Sequence, residues 1–277
     1  MPLDKSIEGF QYPELELDYS DRDSILYALG VGAGEVDEEL RFVYEKGVET
    51  LPTQPVIAPF PLLLRMEELL GIDQEKVLHG EQRLRIHSPM PPSGRATVKA
   101  DVPNIWDKGA GAIIDTRAHV SVDGTAVATT TFSSFVRGAG GFGGERGSGL
   151  ARPEVDGDPE HTISQSTSLQ QAQLYRLSGD LNPLHVDPES AARSGFDRPI
   201  LHGLCSYGFA TRMAMRVLLD GPSRRITGVD CRFVNSVYPG DQLRLDVWRT
   251  GDGSAYARLI AANRDVVAID PLIITFE

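Results

Sequence analysis

Ala172–Asn182 reads AQLYRLSGDLN, and in the first half of the chain Ser24–Gly34 reads SILYALGVGAG. Both carry Leu-Tyr-x-Leu, as Leu174-Tyr175-Arg176-Leu177 and as Leu26-Tyr27-Ala28-Leu29. A four-residue echo is a weak signal alone, but the order of elements downstream of it also repeats. Leu84–Val102 and Cys231–Trp248 each read as a strand, a Pro/Gly turn and a further strand. Gly111–Val136 and Ser254–Phe276 are the long β-rich runs that close each half. Helices followed by strands, twice over, predict an α+β chain in which an antiparallel sheet covers a helix, duplicated in tandem. The expected division is a first repeat over 1–137, a Gly/Pro-rich linker over 138–161 and a second repeat over 162–277.

The linker contains Gly138-x-Gly140-x-x-Gly143 directly after a β-like run. Such a spacing binds a dinucleotide only where a helix starts at the glycines and aims its amides at the pyrophosphate. Here more glycines and Pro153 come next with no apolar 3.6 period, so the stretch reads as a loop between domains.

In the second half, Leu169–Ser178 reads as a helix capped by Thr167 or Ser168, with Gln171 placed to close a capping box. Gly179 ends it in a position that favours a left-handed residue. Asp187-Pro188-Glu189 opens a second, short helix that stops at Gly195. A third, running from Gly203 to about Leu219, is apolar on nearly all sides and is therefore expected to be buried. Between the first two helices lies a connection holding Asp180, Asn182 and His185. Pro183 stiffens it, fixing its own φ and pushing Asn182 toward extended backbone. A carboxylate and an imidazole five residues apart on such a loop can converge on one water. Spacing alone leaves the alternative open, with Asp180 and Asn182 holding the turn and His185 a packed core residue.

The 277 residues are enough for one large or two medium domains with a full core. A net charge of −12 disfavours nucleic acid and anionic membrane as partners. No apolar run approaches a membrane span, the N-terminus has no signal-like apolar core, and Ile274-Thr275-Phe276-Glu277 is not a peroxisomal address. Cys205 and Cys231, too few for a disulfide framework or a zinc site, read as buried thiols.

The stretch YRLSGDLNPLHVDP (Tyr175–Pro188), followed by GFDRPILHGL (Gly195–Leu204), resembles the hydratase 2 motif of MaoC-like (R)-specific enoyl-CoA hydratases. DRDSILYALGVGAG, LPT, VLHGEQRL, DKGAG and GAGGFGG are similar, in the same order, to the two-repeat hydratase 2 of peroxisomal multifunctional enzymes. The resemblance implies a double hot-dog fold, each repeat a long helix wrapped by a curved antiparallel sheet. It also implies reversible hydration of trans-2-enoyl-CoA to (R)-3-hydroxyacyl-CoA, without metal or redox cofactor.

Carried over residue by residue, the resemblance makes Asp180, Asn182 and His185 catalytic. Gly203 becomes the glycine whose backbone N–H holds the thioester oxygen. A helix start suits that role, because its unpaired amides and positive dipole end favour a developing enolate. His79, Gly80, Lys108 and Phe233 match substrate-contacting positions, Lys108 supplying charge for a phosphate. As residues alone, Lys108 is equally a solvated turn residue and Phe233 plain core; His202 reads as a structural residue at the helix entry. The first repeat has Gly30-Val31-Gly32 where the second has Ser178-Gly179-Asp180, so one active site per chain is expected, with the first repeat receiving the acyl tail. Its own helix region carries Pro52, Pro55, Pro59 and Pro61 and is less helix-like. The resemblance further suggests a homodimer, and the absence of a dehydrogenase segment a bacterial cytoplasmic enzyme. An acyl-CoA-binding protein or a thioesterase on the same fold are the alternatives.

Overall fold

The computed structural model describes residues 2–219 and 225–277. The first half contains β1 (Leu15–Tyr19) and α1 (Asp21–Gly30), then the short helices α2 (Leu40–Val43), α3 (Phe60–Leu63) and α4 (Met66–Leu70). Four strands come after them: β2 (Val77–Ile86), β3 (Gly94–Asp107), β4 (Gly111–Val122) and β5 (Thr125–Arg137). The second half repeats the plan with β6 (His161–Ser166), α5 (Gln171–Tyr175), α6 (Pro188–Arg193) and α7 (Gly203–Leu218). Its strands are β7 (Ile226–Phe233), β8 (Gln242–Gly251), β9 (Ser254–Ala261) and β10 (Val266–Phe276).

The strands form one antiparallel sheet in the order β1-β3-β4-β5-β2-β7-β10-β9-β8-β6. Read inward from either edge, each half contributes its first, third, fourth, fifth and second strands. The duplication suggested by Leu-Tyr-x-Leu therefore extends to topology. The halves join where β2 pairs with β7, Gln82 opposite Cys231 and Leu84 opposite Val229. Neither strand–turn–strand unit read from sequence pairs with itself: β2 and β3, like β7 and β8, lie apart in the sheet.

Helix α7 is the hub of the larger core. Leu204, Cys205, Tyr207, Phe209, Ala210, Met213 and Leu218 are at most 2% exposed, and from Leu204 to Ala214 the helix is wrapped on every side as its apolar circumference predicts. The first half has no such long helix, which corrects the expectation of one per repeat. Between α1 and β2 the chain makes a single-turn 3-10 helix at Gln54–Ile57, then α3 and α4. Proline lacks an N–H and its ring clashes with the carbonyl four residues back, so Pro55, Pro59 and Pro61 cut the segment into single turns. Those turns still bury Ala58, Leu62 and Met66 beneath Val98, Ile105, Ile114 and Val120 of the sheet in a second core.

Helix α5 is shorter than expected, passing into a 3-10 turn at Arg176–Ser178. Only half of the capping box forms, with Ser168 N–H donating to Gln171 Oε1 at 3.3 Å. The other end of that amide is committed elsewhere, donating through Nε2 to the Gly30 carbonyl at 2.7 Å. The linker glycines also find an internal partner. Gly141 and Gly143 donate their amides to the Asp107 carboxylate at 2.9 and 2.7 Å, and Gly109 donates at 2.8 Å. These bonds hold Asp107 down to about 2. The glycine spacing thus grips a carboxylate of β3.

Candidate active site

The two copies of Leu-Tyr-x-Leu meet. Tyr27 and Tyr175 are fully buried with ring centroids 6.2 Å apart, so α1 and α5 lie against each other. From there the two loops that leave these helices diverge in use. In the first half, Gly30-Val31-Gly32 lends its carbonyls to the second half. Gly30 accepts from Gln171 and from Cys205 Sγ (3.2 Å), Val31 from Arg212 Nε (3.1 Å), and Gly32 from Gln165 Nε2 (2.9 Å). Arg212, 1% exposed in the middle of α7, also pairs with the buried Glu39 and with Gln165. At Gly32 a side chain is impossible in two ways: φ is +76°, and a Cβ would lie 2.3 Å from the Phe209 ring. This loop is an anchor.

In the second half the equivalent loop opens onto a cavity of about 570 Å³. Gly179 turns the chain with φ +126°. The Asp180 carboxylate accepts from Asn182 N–H at 3.2 Å, and Asn182 Oδ1 accepts from Leu184 N–H at 3.0 Å, capping the turn Pro183–His185. Asp187 caps α6 in the same way, accepting from Glu189 N–H at 3.0 Å. The local hydrogen bonding left open by spacing and the convergence of side chains are both present. One donor atom each from Asp180, His185 and His202 lies within 4.8 Å of the others.

The hydrogen bonds set the roles available to the rings. His185 Nδ1 sits 2.9 Å from the Ile200 carbonyl, which can only accept, so Nδ1 carries the proton and Nε2 keeps its lone pair. His202 Nε2 likewise donates to the backbone carbonyl of Asp180 at 3.2 Å. Its ring stacks on that of His185 with centroids 3.7 Å apart. Burial raises the Asp180 carboxyl above its ordinary value, countered in part by His185. Burial lowers His185, countered in part by Asp180. Burial holds His202 well below the ordinary imidazole value, and the neighbouring His185 adds to the effect. Burial thus favours the uncharged form of each group, and each one's charge works against that effect on the other.

Gly203 opens α7 on the same cavity wall, with His202 as its N-cap. Its amide meets no acceptor among the described residues, as the first turn of a helix leaves it. A Cβ there would come within 3.2 Å of Phe233, so the missing side chain lets the ring close on the helix tip. From Phe233 a row of rings runs into the first half: His79 at 4.8 Å, then Phe132 at 5.3 Å, then Phe60 at 6.0 Å. Burial lowers His79 to about 4, so it is a neutral ring in this wall. Gly80 lies on the same wall, at the bulge where β2 shifts register against β5. Leu63 and Met66, from the proline-broken segment, extend the apolar side.

Of the residues singled out by sequence, Asp180, Asn182, His185, Gly203, His79, Gly80 and Phe233 line this one cavity. Lys108 does not. Its ammonium is turned onto the linker, donating to the carbonyls of Arg146 and Gly147. Sequence reading misses the parts played by His202 and the Ile200 carbonyl. The position of His202 beside Gly203 is the available hint, but the stack on His185 joins residues 17 apart through the fold.

Residues 151–270 match the MaoC like domain, and residues 17–138 match the MFE-2 hydratase 2 N-terminal domain. Enoyl-CoA hydratase ChsH3 of Mycobacterium tuberculosis is 39% identical over 96% of both chains. The peroxisomal multifunctional enzyme type 2 of Mus musculus is 38% identical over 94% of this chain, which spans only 37% of the mouse protein. The crystal structure of a MaoC-like dehydratase from Phytophthora capsici superposes with a TM-score of 0.88 at 30% identity, over 100% of this chain and 98% of that one. A protein of Mycobacterium tuberculosis described as having a double hotdog fold, 13% identical with a TM-score of 0.59, shares the fold. With both halves matched and relatives aligned almost end to end, the chain belongs to the MaoC-like dehydratase family, in its two-repeat hydratase 2 form.

Proposed function

We propose that this chain catalyses the reversible syn hydration of trans-2-enoyl-CoA to (R)-3-hydroxyacyl-CoA. The carrying observation is that the Asp180 carboxylate and the His185 ring converge to within 4.8 Å on the wall of a cavity that also holds Gly203. The names of relatives, an enoyl-CoA hydratase and a 3-hydroxyacyl-thioester dehydratase of Mycobacterium tuberculosis, support the same chemistry in its two directions.

In this mechanism the thioester oxygen sits on the Gly203 N–H, which draws electrons from the double bond and makes C3 electrophilic. A preorganised donor of this kind contributes roughly 3–4 kcal/mol to lowering the barrier. A water held between Asp180 and His185 Nε2 adds its oxygen to C3 and gives a proton to the pair. A proton from the pair goes to C2 on the same face, so the pair ends the cycle as it began. Asn182 fixes the loop through its two turn hydrogen bonds. The ring-lined side, Phe233, His79, Phe132 and Phe60, would receive the thioester and the start of the acyl tail.

No metal takes part in this mechanism. Two imidazoles and a carboxylate are also a metal-ligand set, and the bonds to backbone carbonyls leave His185 Nε2 and His202 Nδ1 free, but the mechanism assigns the Asp180 carboxylate and His185 Nε2 to the water. A homodimer is part of the proposal, supported by the exposed Leu177 and Leu181 beside the catalytic loop.

The test is crotonyl-CoA hydration, followed by loss of the conjugated thioester absorbance with chiral analysis of the product. An (R)-3-hydroxy product supports the proposal, and an (S) product contradicts it. Release of free thiol in place of hydration indicates a thioesterase.

A further inference from the structure

We propose that Arg137, at the end of β5, binds the phosphate at the far end of the pantetheine arm of the thioester substrate, the part that the sequence assigned to Lys108. The proposal rests on the enoyl-thioester reading of the cavity and adds the place where the phosphorylated end is held.

Four observations carry it. First, Arg137 is the one Lys or Arg among the described residues that line the main cavity. Second, it is exposed and its side chain makes no hydrogen bond or ion pair with any described residue, whereas most arginines of this acidic chain are matched to carboxylates, as Arg85 to Asp230 and Arg117 to Asp101. Third, it stands where the main cavity meets a side chamber of about 290 Å³, lining both. The chamber's other charged groups are Arg193 and Glu75, 3.5 Å apart, so the junction carries a net positive charge in a chain of net charge −12. Fourth, it lies further along the strand that pairs with the ring wall. On β5, Ser134 is paired with His79 of the ring wall, and Arg137 lies three residues further, roughly 10 Å along the strand.

The geometry also accounts for Lys108. Its backbone N–H donates to the Gly111 carbonyl at 2.9 Å, and Gly111 is paired with Arg137, so the two cations lie at the same end of the sheet. Lys108 has its ammonium against linker carbonyls, and Arg137 is the cation left facing the cavity.

The phosphate can be the first on the arm or belong to the distal nucleotide. The test therefore compares crotonyl-CoA, crotonyl-4′-phosphopantetheine and phosphate-free crotonyl-pantetheine on wild type, Arg137→Gln and Arg137→Lys, with folding checked by circular dichroism. In Arg137→Gln the ratio of kcat/KM for crotonyl-CoA to that for crotonyl-pantetheine falls about tenfold, the order lost with a charge-assisted hydrogen bond. Arg137→Lys restores most of it. A matching fall for the phosphopantetheine ester places the first phosphate on Arg137; a fall confined to the CoA ester places the distal one there. An unchanged ratio, or equal losses on phosphorylated and phosphate-free substrates, overturns the proposal. If wild type hydrates none of the esters, the enoyl-hydration reading fails by itself. Calorimetric titration with free coenzyme A then decides the question: about tenfold weaker binding to Arg137→Gln supports the site, and equal affinity overturns it.

Discussion

The imidazoles of His185 and His202 stack with centroids 3.7 Å apart and planes inclined by 28°. Through this contact and the bond from His202 Nε2 to the Asp180 carbonyl, one buried ring steadies both ends of the loop from Asp180 to His185. His202 is also the N-cap of α7, so the same residue sets the distance from the loop to the Gly203 amide. A second imidazolium here would oppose proton uptake by His185, and burial keeps His202 neutral.

His202→Ala removes both the stack and the hydrogen bond, whereas His202→Phe keeps a flat ring and loses only the bond. Because a displacement of about 1 Å at a reacting group can cost roughly a hundredfold, kcat falls by about ten- to a hundredfold in the alanine variant and less in the phenylalanine variant. Steady-state kinetics show the fall chiefly in kcat. A change confined to KM means that His202 does not position the pair.

The acid side of the pH profile is set by the two shifts. Protonating the carboxylate or the imidazole removes a proton acceptor, so activity is lost as pH falls. Burial raises Asp180 above its ordinary 3.8 and lowers His185 below its ordinary 6.5, so the loss belongs to the pair as a unit. The profile of kcat/KM for crotonyl-CoA falls on the acid side with an apparent pKa above 3.8, and no histidine-like loss occurs at or above pH 6.5. A limb at or below 3.8 contradicts the buried, coupled pair.

Chelation separates the two uses of a carboxylate with two imidazoles. Dialysis against EDTA followed by assay in metal-free buffer leaves hydration unchanged. Loss of activity that returns with a divalent cation means that Asp180, His185 and His202 hold a metal.

The Arg212–Glu39 pair tests the anchoring loop. Both side chains are buried, at 1% and 3% exposure, and removing one partner of such a pair strands the other charge. Glu39→Ala lowers stability by about 3–5 kcal/mol in chemical denaturation, and replacing both residues with apolar ones costs less. Equal losses in the single and double variants place the stabilisation outside the ion pair.

The parts of the site legible in sequence were those built by local chemistry. Pro183, the Asp187 cap and the short spacing from Asp180 to His185 act within a few residues, and the resemblance added their roles. The Leu-Tyr-x-Leu echo was legible for the same reason, though not that Tyr27 and Tyr175 would pack against each other. The four prolines announced that the first repeat would be less helix-like, without showing that it has no long helix at all. Contacts made through the fold were not legible. Nothing in the sequence around Arg212 announces its partners, since Glu39 and Val31 come to it from the other half. Lys108 had the right charge, but the linker took its ammonium.

The most direct measurement of the shared water is a double-mutant comparison of kcat for crotonyl-CoA hydration in Asp180→Ala, His185→Ala and the combined variant, each confirmed as folded. Groups acting as one unit are not additive. Each single change costs about 10²–10⁴-fold, and the combined variant is no slower than the slower single one. Losses that multiply in the combined variant, or full activity in either single variant, contradict a water held jointly by Asp180 and His185.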